Sequence, residues 1–302
     1  MSFCTEVKTE LSNISANDCC SVACCYGMLL FGRNFSYKEI LYRSENEFVA
    51  KFYAKALKKH FAILPSQKVG GQKVKNYSVY IKEENLCKMV MEAFGYSHSD
   101  RLYINGDVFK KECCFGAFVR GAFLVCGQMS DPFKNYHVEF VIRDLSLALE
   151  FYRLLTEYGL SPKRSMRRNS MVIYFNQSET IEEILTLMGA TSKVFEVIDV
   201  QIAKTIRNAE NRKQNLDIGN IDKQVEASIA QRKAIEYLIK NGYFDGLDSG
   251  LKASANLRLK YPNASLLELC KLSEESLTRS GLNHRLKKIM EIAKQKKEEK
   301  GK

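Results

Sequence analysis

The sequence predicts an α+β fold in two parts: a pair of mixed repeats forming one amino-terminal domain, then an all-α domain containing a helix-turn-helix. Three observations predict it. Sliding the chain against itself by roughly ninety-odd residues brings Cys19, Cys20, Ala23, Gly27, Leu30 and Ser36 onto Cys113, Cys114, Ala117, Gly121, Leu124 and Ser130, the mark of a duplicated unit. Tyr136, Val138, Phe140 and Ile142 alternate with Asn135, His137, Glu139, Val141 and Arg143, the period-two signature of a sheet with one buried and one mostly polar face. Beyond Asn220 the apolar residues keep helical spacing, and a short capped helix, a turn and a longer basic helix close the chain.

Each repeat, about residues 1–94 and 95–195, is expected to run helix, strand, helix, strand within a domain spanning 1–200. The register continues loosely, with Phe52 and Tyr53 echoed by Phe151 and Tyr152, and Ser78 to Ile81 by Met171 to Phe175. In the second copy a glycine-bearing apolar helix, Phe115 to Val125, leads to a strand at Tyr136 to Ile142. Asp144 then caps a helix carrying Leu145, Leu149, Tyr152 and Leu155, which stops at Gly159 ahead of a strand from Ser170 to Phe175. Thr180 and Glu183 have the spacing of a capping box opening a helix from Ile181 to Met188.

Residues 201–220 are a polar run with little core-forming capacity beyond Ile206, read as an interdomain connector. The carboxy-terminal domain, 221–302, begins with a helix marked by Ile221, Val225, Ile229, Ile235, Leu238 and Ile239 and ending at Asn241-Gly242. A second, marked by Leu247, Leu251, Ala255 and Leu259, ends before Pro262. The helix-turn-helix occupies about 265–297. Ser265 and Glu268 box the start of a short helix with Leu266, Leu269 and Leu272, the polar turn Ser273-Glu274-Glu275-Ser276 follows, and Leu282, Leu286, Ile289 and Ala293 line the last helix.

Composition bounds what such a protein does. A formal net charge of +11 over 302 residues argues for a polyanionic partner, because a surface this positive gains by releasing counterions from nucleic acid. A membrane surface fits less well, since the basic tail (Lys294, Lys296, Lys297, Lys300, Lys302) lacks bulky apolar residues opposite its charges. The chain has no apolar run of about 18 residues and no basic-then-apolar opening, so a cytoplasmic, nucleoid-associated protein without a membrane partner is expected. Ten cysteines invite a metal or disulfide reading, yet Cys19, Cys20, Cys24 and Cys25 are adjacent pairs inside an apolar helix, with no C-x-x-C knuckle and no histidine nearby. They are read as small buried hydrophobes, with no metal and no cofactor expected.

Advancing 100° per residue puts Leu282, Leu286, Ile289 and Ala293 on one stripe of the last helix. Ser280, Asn283, His284 and Lys287, near the helix start on the opposite face, are placed to read base edges; Arg279, Arg285 and Lys288 are better placed for phosphates. A basic face on an isolated helix is usually just solvated, and it is the preceding capped helix and turn that give this one weight. Lys163, Arg164, Arg167 and Arg168 form a second basic group, a hairpin that could grip phosphate or be merely solvated.

The segment Thr278-Arg279-Ser280-Gly281-Leu282-Asn283-His284-Arg285-Leu286-Lys287-Lys288-Ile289, preceded by Ser265 to Leu269, closely resembles the carboxy-terminal domain of the WhiA family. The likeness extends to Met1-Ser2-Phe3, to Glu6-Val7-Lys8 with Glu10-Leu11, to Cys19-Cys20, to Arg120 through Leu124 with Ser130-Asp131-Pro132, and to Asn208 through Asn215. It covers essentially the whole chain. What the resemblance implies is a bacterial double-stranded DNA-binding protein with two LAGLIDADG-type repeats fused to a helix-turn-helix, acting in cell division, chromosome segregation and, in spore formers, sporulation.

The resemblance also implies a test of catalysis. Active LAGLIDADG nucleases end each repeat's first helix in an acidic residue, and the carboxylate pair holds divalent metal over the scissile phosphates. Here Cys126 stands at that position in the second repeat and Gly32 at or beside it in the first, while Asp131 reads as a turn residue. Gly27 and Gly121 keep the helix-packing half of the motif. The expectation is a non-enzymatic transcriptional regulator. An architectural DNA binder, an active homing-type endonuclease, and an amino-terminal domain that binds a protein partner are the other readings.

Overall fold

The computed structural model describes residues 2–71, 75–97, 101–273 and 275–300, so Glu274 of the expected turn and Lys302 of the basic tail lie outside the described residues. The chain divides into two compact units, Met1–Lys204 and Thr205–Lys302.

The first unit opens with α1 (Phe3–Ser12), capped by Ser2, whose hydroxyl accepts the Thr5 N–H. The first repeat follows as α2 (Asp18–Leu30), β1 (Asn34–Phe35), β2 (Ile40–Ser44), α3 (Glu47–Phe61), β3 (Ser66–Gly70), β4 (Asn76–Ile81) and α4 (Glu84–Ala93). The second runs α5 (Glu112–Cys126), β5 (Gly127–Met129), β6 (Val138–Ile142), α6 (Leu145–Glu157), β7 (Lys163–Arg167), β8 (Ser170–Phe175) and α7 (Ser178–Met188). Each builds a four-stranded antiparallel sheet of the same topology, β1-β2-β4-β3 and β5-β6-β8-β7. The duplication is real, but the unit has two more strands than expected. β1 and β5 are too short to show a period, and every residue of β3 and β7 is exposed, so no apolar alternation marks them. Their pairing with β2, β6, β4 and β8 defines them.

The helices α2 and α5 are apolar nearly all round and lie against each other at the centre of the unit's core. Glycine is required at their crossing. A Cβ on Gly27 would collide with the Phe118 carbonyl oxygen, and one on Gly121 with the Cys24 carbonyl oxygen. This reciprocal approach joins the two repeats, and the helices run parallel, since Cys19 and Cys20 in the first turn of one meet Cys113 and Cys114 in the first turn of the other.

Several local expectations need correction. Thr180 does not open α7: the helix begins at Ser178 with Gln177 as its cap residue, leaving Thr180 buried in the first turn. Residues 201–220 are part of α8 (Thr191–Lys240), a 50-residue helix. Glu, Arg, Lys, Gln and Ala are good helix formers, so a run unable to build a core can still be helical. Only a third of the stripe expected at the start of the second domain is buried. Ile235 and Leu238 enter a core, whereas Ile221, Val225, Ile229 and Ile239 are exposed.

In the second unit α9 (Ser249–Lys260), α10 (Leu266–Leu272) and α11 (Arg279–Lys300) share a core of Ile235, Leu238, Leu251, Ala255, Leu269, Leu282, Leu286 and Ile289. Asp248 caps α9, Ser265 and Glu268 form the expected capping box on α10, and the Thr278 hydroxyl accepts the Gly281 N–H at the start of α11. Arg258, 2% exposed, donates to the Ala264 carbonyl at 2.6 Å, and the Ser228 hydroxyl donates to the Pro262 carbonyl. These bonds hold the α9–α10 loop, and with it the entry to the helix-turn-helix.

Candidate nucleic-acid interface

The four residues expected to form the apolar stripe of α11, Leu282, Leu286, Ile289 and Ala293, are all buried. That burial turns the opposite side outward: Arg279, Ser280, His284, Lys287 and Lys288 are exposed, and Asn283 is half-buried. Arg285 departs from the group. Its guanidinium Nη1 donates to the Glu275 carboxylate at 2.6 Å and to the Gly250 carbonyl at 3.3 Å. Arg285, expected as a phosphate contact, thus also ties the turn before α11 to the start of α9. The sequence hid this because a helical wheel shows which side a residue takes but not which neighbouring loop reaches back to it.

The basic hairpin exists as β7 and β8, with Arg168 in the tight turn at a left-handed φ of 54°. Its four cations do not act as one group. Lys163 lies in the same cross-strand row as Tyr174 and Glu139, and its ammonium donates to Asn176 at 3.0 Å. Arg164 points to the helical side and stacks over Tyr152 with its guanidinium 4.9 Å from the ring centre. Arg167 pairs with both oxygens of Glu139, at 3.0 and 2.9 Å.

Glu139 is itself a correction to the expected open polar face. Its side chain is only 7% exposed. Burial pushes its carboxyl up, but hydrogen bonds from Arg167 and His137 outweigh burial and the net direction is down. The hairpin's charge is thus partly spent inside the protein.

The ends of α2 and α5, where the LAGLIDADG resemblance puts a carboxylate pair in active enzymes, carry different chemistry here. α2 ends at Leu30, and Gly32 lines a cleft of 340 Å³ together with Arg33, Arg43, Arg143 and Asp144. The three arginines are exposed, and the Asp144 carboxylate accepts the Leu147 N–H as the cap of α6. Cys126 ends α5 and shares a neighbouring cleft with Lys8. Burial pushes its thiol up to about 12, the Lys8 charge offsetting only part of that, so at neutral pH it is a protonated thiol. Asp131 accepts the Phe133 N–H at 2.9 Å and serves a turn, as its sequence context indicates. Arginine around a cleft receives an anion, whereas Mg²⁺ needs hard oxygen anions. Arg33 and Arg43 were not singled out from the sequence. The signals were there, since Arg33 directly follows Gly32 and Arg43 alternates with buried Tyr42.

The cysteines also regroup. Cys24 and Cys25 are buried in the α2–α5 core as expected of small hydrophobes, but Cys19 and Cys20 meet Cys113 and Cys114 of the other repeat, all four sulfurs lying within 4.8 Å of one another. The spacing test along one segment compared the wrong partners. The pairing is between repeats, and only the self-alignment could have suggested it.

A family model described as the WhiA C-terminal HTH domain matches residues 211–293, and one described as the WhiA LAGLIDADG-like domain matches residues 115–207. The protein named "Probable cell division protein WhiA" in Ruminiclostridium cellulolyticum is 33% identical over 97% of this chain and 97% of its own length. Its namesake in Clostridium botulinum is 32% identical over 97% and 98%. The solved structure of full-length DUF199/WhiA from Thermatoga maritima aligns with a TM-score of 0.58 at 23% identity, covering 98% of this chain and 99% of that one, which is a likeness of fold.

Proposed function

The chain belongs to the WhiA family, and from that premise we propose that it is a non-enzymatic regulator that binds double-stranded DNA through α11. The observation that carries the reading is the outward face of that helix. Arg279, Ser280, His284, Lys287 and Lys288 are exposed on one side because Leu282, Leu286 and Ile289 are buried on the other, and a capped helix and turn precede them. Asn283 completes the set at the edge of the face. The relatives' name supports a role in cell division. Chromosome segregation, sporulation where the host forms spores, and association with the nucleoid belong to the same proposal.

The absence of cleavage is part of it. Cys126 and Gly32 offer no carboxylate pair, and Arg33, Arg43 and Arg143 make the surrounding cleft a site for phosphate oxygen, not for a divalent ion. The first unit then adds backbone contacts through this cleft and through Lys163 and Arg168, while α11 reads bases.

Footprinting combined with a salt titration tests the reading. A defined protected site, with log affinity falling linearly as log salt rises, is the expected result. Diffuse protection at all sequences would favour an architectural binder, and a flat salt dependence would remove the phosphate-dominated mode altogether. Plasmid incubated with the protein and Mg²⁺ or Mn²⁺ should stay intact; nicking abolished by a chelator would make the protein a nuclease.

A further inference from the structure

Cys19 and Cys20 are the second and third residues of α2, and Cys113 and Cys114 are the second and third residues of α5. The two helices run parallel and are clamped two turns further on by the Gly27–Gly121 crossing, so their first turns are held side by side. The four sulfurs lie within 4.8 Å of one another, and Cys19 and Cys20 are 4.0 Å apart. A tetrahedral zinc ion with bonds of about 2.3 Å holds its four thiolate sulfurs about 3.8 Å from one another, so closing each edge by at most about 1 Å completes the site. We infer that these four cysteines bind one soft divalent ion of the zinc class as a closed structural site stapling the two repeats together.

Three further features of the structure favour this occupant. Two helix amino termini converge on the cluster, and their dipoles stabilise thiolates where a helix carboxy terminus would oppose them. The donor set is sulfur only, which selects zinc-like ions over magnesium or calcium. His60, packed beside α2, is engaged by the Ser21 hydroxyl at 2.9 Å, and the cysteines complete the set without it. A multi-iron cluster would spread its cysteine sulfurs further apart than one ion does. On binding, each of the four S–H bonds gives way to a sulfur–metal bond, and the four protons pass to the buffer without any change of oxidation state.

The test uses the full chain, reduced and stripped of metal under anaerobic conditions, titrated with Co²⁺ as a spectroscopic stand-in. Expected are the visible absorption of tetrahedral tetrathiolate cobalt saturating at one ion per chain, its displacement by Zn²⁺, and a rise in melting temperature with Zn²⁺. The Cys19→Ser/Cys113→Ser double variant, which removes one sulfur from each helix, should lose the band, and Cys20→Ser alone should shift it toward a three-sulfur spectrum. Cys270→Ser, in the other unit, should leave it unchanged. Circular dichroism confirms that each variant is folded. Folded wild type giving no tetrathiolate band would overturn the inference, as would a band that survives in the double variant. So would recovery of the four thiols as disulfides from cells lysed under thiol-trapping conditions.

Discussion

Arg285 and His284 are adjacent on α11 and should separate cleanly on substitution, because the structure gives them different work. In Arg285→Ala the lost partners are the Gly250 carbonyl at 3.3 Å and the Glu275 carboxylate at 2.6 Å. The first is a hydrogen bond to a backbone acceptor, about 0.5–1.5 kcal/mol. The second joins side chains 30% and 48% exposed, so solvent screening holds it to about 0–1 kcal/mol. Together they predict a loss of about 0.5–2.5 kcal/mol in the second unit, where each kcal/mol corresponds to about 4–8 °C in melting temperature for a domain of this size. His284→Ala removes an exposed side chain and should leave the melt within about 0.5 kcal/mol of wild type. If it reads a base, affinity for the cognate site should fall by about 1–3 kcal/mol, with selectivity relaxed at one position. Thermal melts of both variants and binding isotherms at several salt concentrations distinguish the roles. The reasoning fails if Arg285→Ala melts like wild type and lowers the salt slope by about one, since that is how a phosphate contact behaves.

Three further outcomes follow from other parts of the molecule. Gly121→Ala should destabilise the first unit by about 1–3 kcal/mol or more, because the added methyl meets the backbone oxygen of Cys24 and neither helix can yield without opening the repeat interface; a denaturant midpoint equal to wild type would contradict that packing. Leu286→Ala should cost about 2–5 kcal/mol of stability, checked by a denaturant melt, and any loss of DNA binding should track unfolding instead of altering sequence preference. Glu139→Gln should flatten the acid side of the stability profile. The Glu139 carboxyl is held below its ordinary value of 4.5, so its contribution is complete above that pH and is lost as pH falls through the lowered value; melts of wild type and variant should therefore converge under acid conditions, and a constant gap between them at all pH values would show that ionisation of Glu139 is not what matters.

Where the sequence speaks through local periodicity, the structure follows it closely. The buried stripe of α11 was readable because that helix has one apolar side and its partner surface is a single core, and the strand Ser170–Phe175 because its apolar run is buried nearly throughout. The two glycines at the helix crossing were readable from the self-alignment, since close packing demands the same small residue at the same place in both copies. What remained hidden depends on contacts distant in sequence. β7 carries no apolar alternation because both its faces are exposed, the 201–220 run is helical without any buried stripe to announce it, and the bond from Arg285 to Gly250 spans two helices and a turn. The cysteine cluster falls in the same class, for the distance that matters there is between repeats.

The electrostatics of the two central helices govern which groups their carboxy-terminal ends accept. The carboxy-terminal end of a helix carries partial negative charge, so a pair of carboxylates at the ends of α2 and α5 would be doubly unfavourable, repelled by the dipoles and by each other, unless a divalent cation sat between them. A nuclease meets that cost because the cation is its catalyst. In this chain Gly32 and Cys126 bring no charge to those ends, while Arg33, Arg43 and Arg143 line the cleft beside Gly32 and Lys8 that beside Cys126. Cations suit the negative helix ends directly and leave capacity for phosphate oxygens. The cleft beside Gly32 carries three arginines against one carboxylate, Asp144, and so is positive without any bound ion. The glycine crossing lies about one and a half turns before those ends.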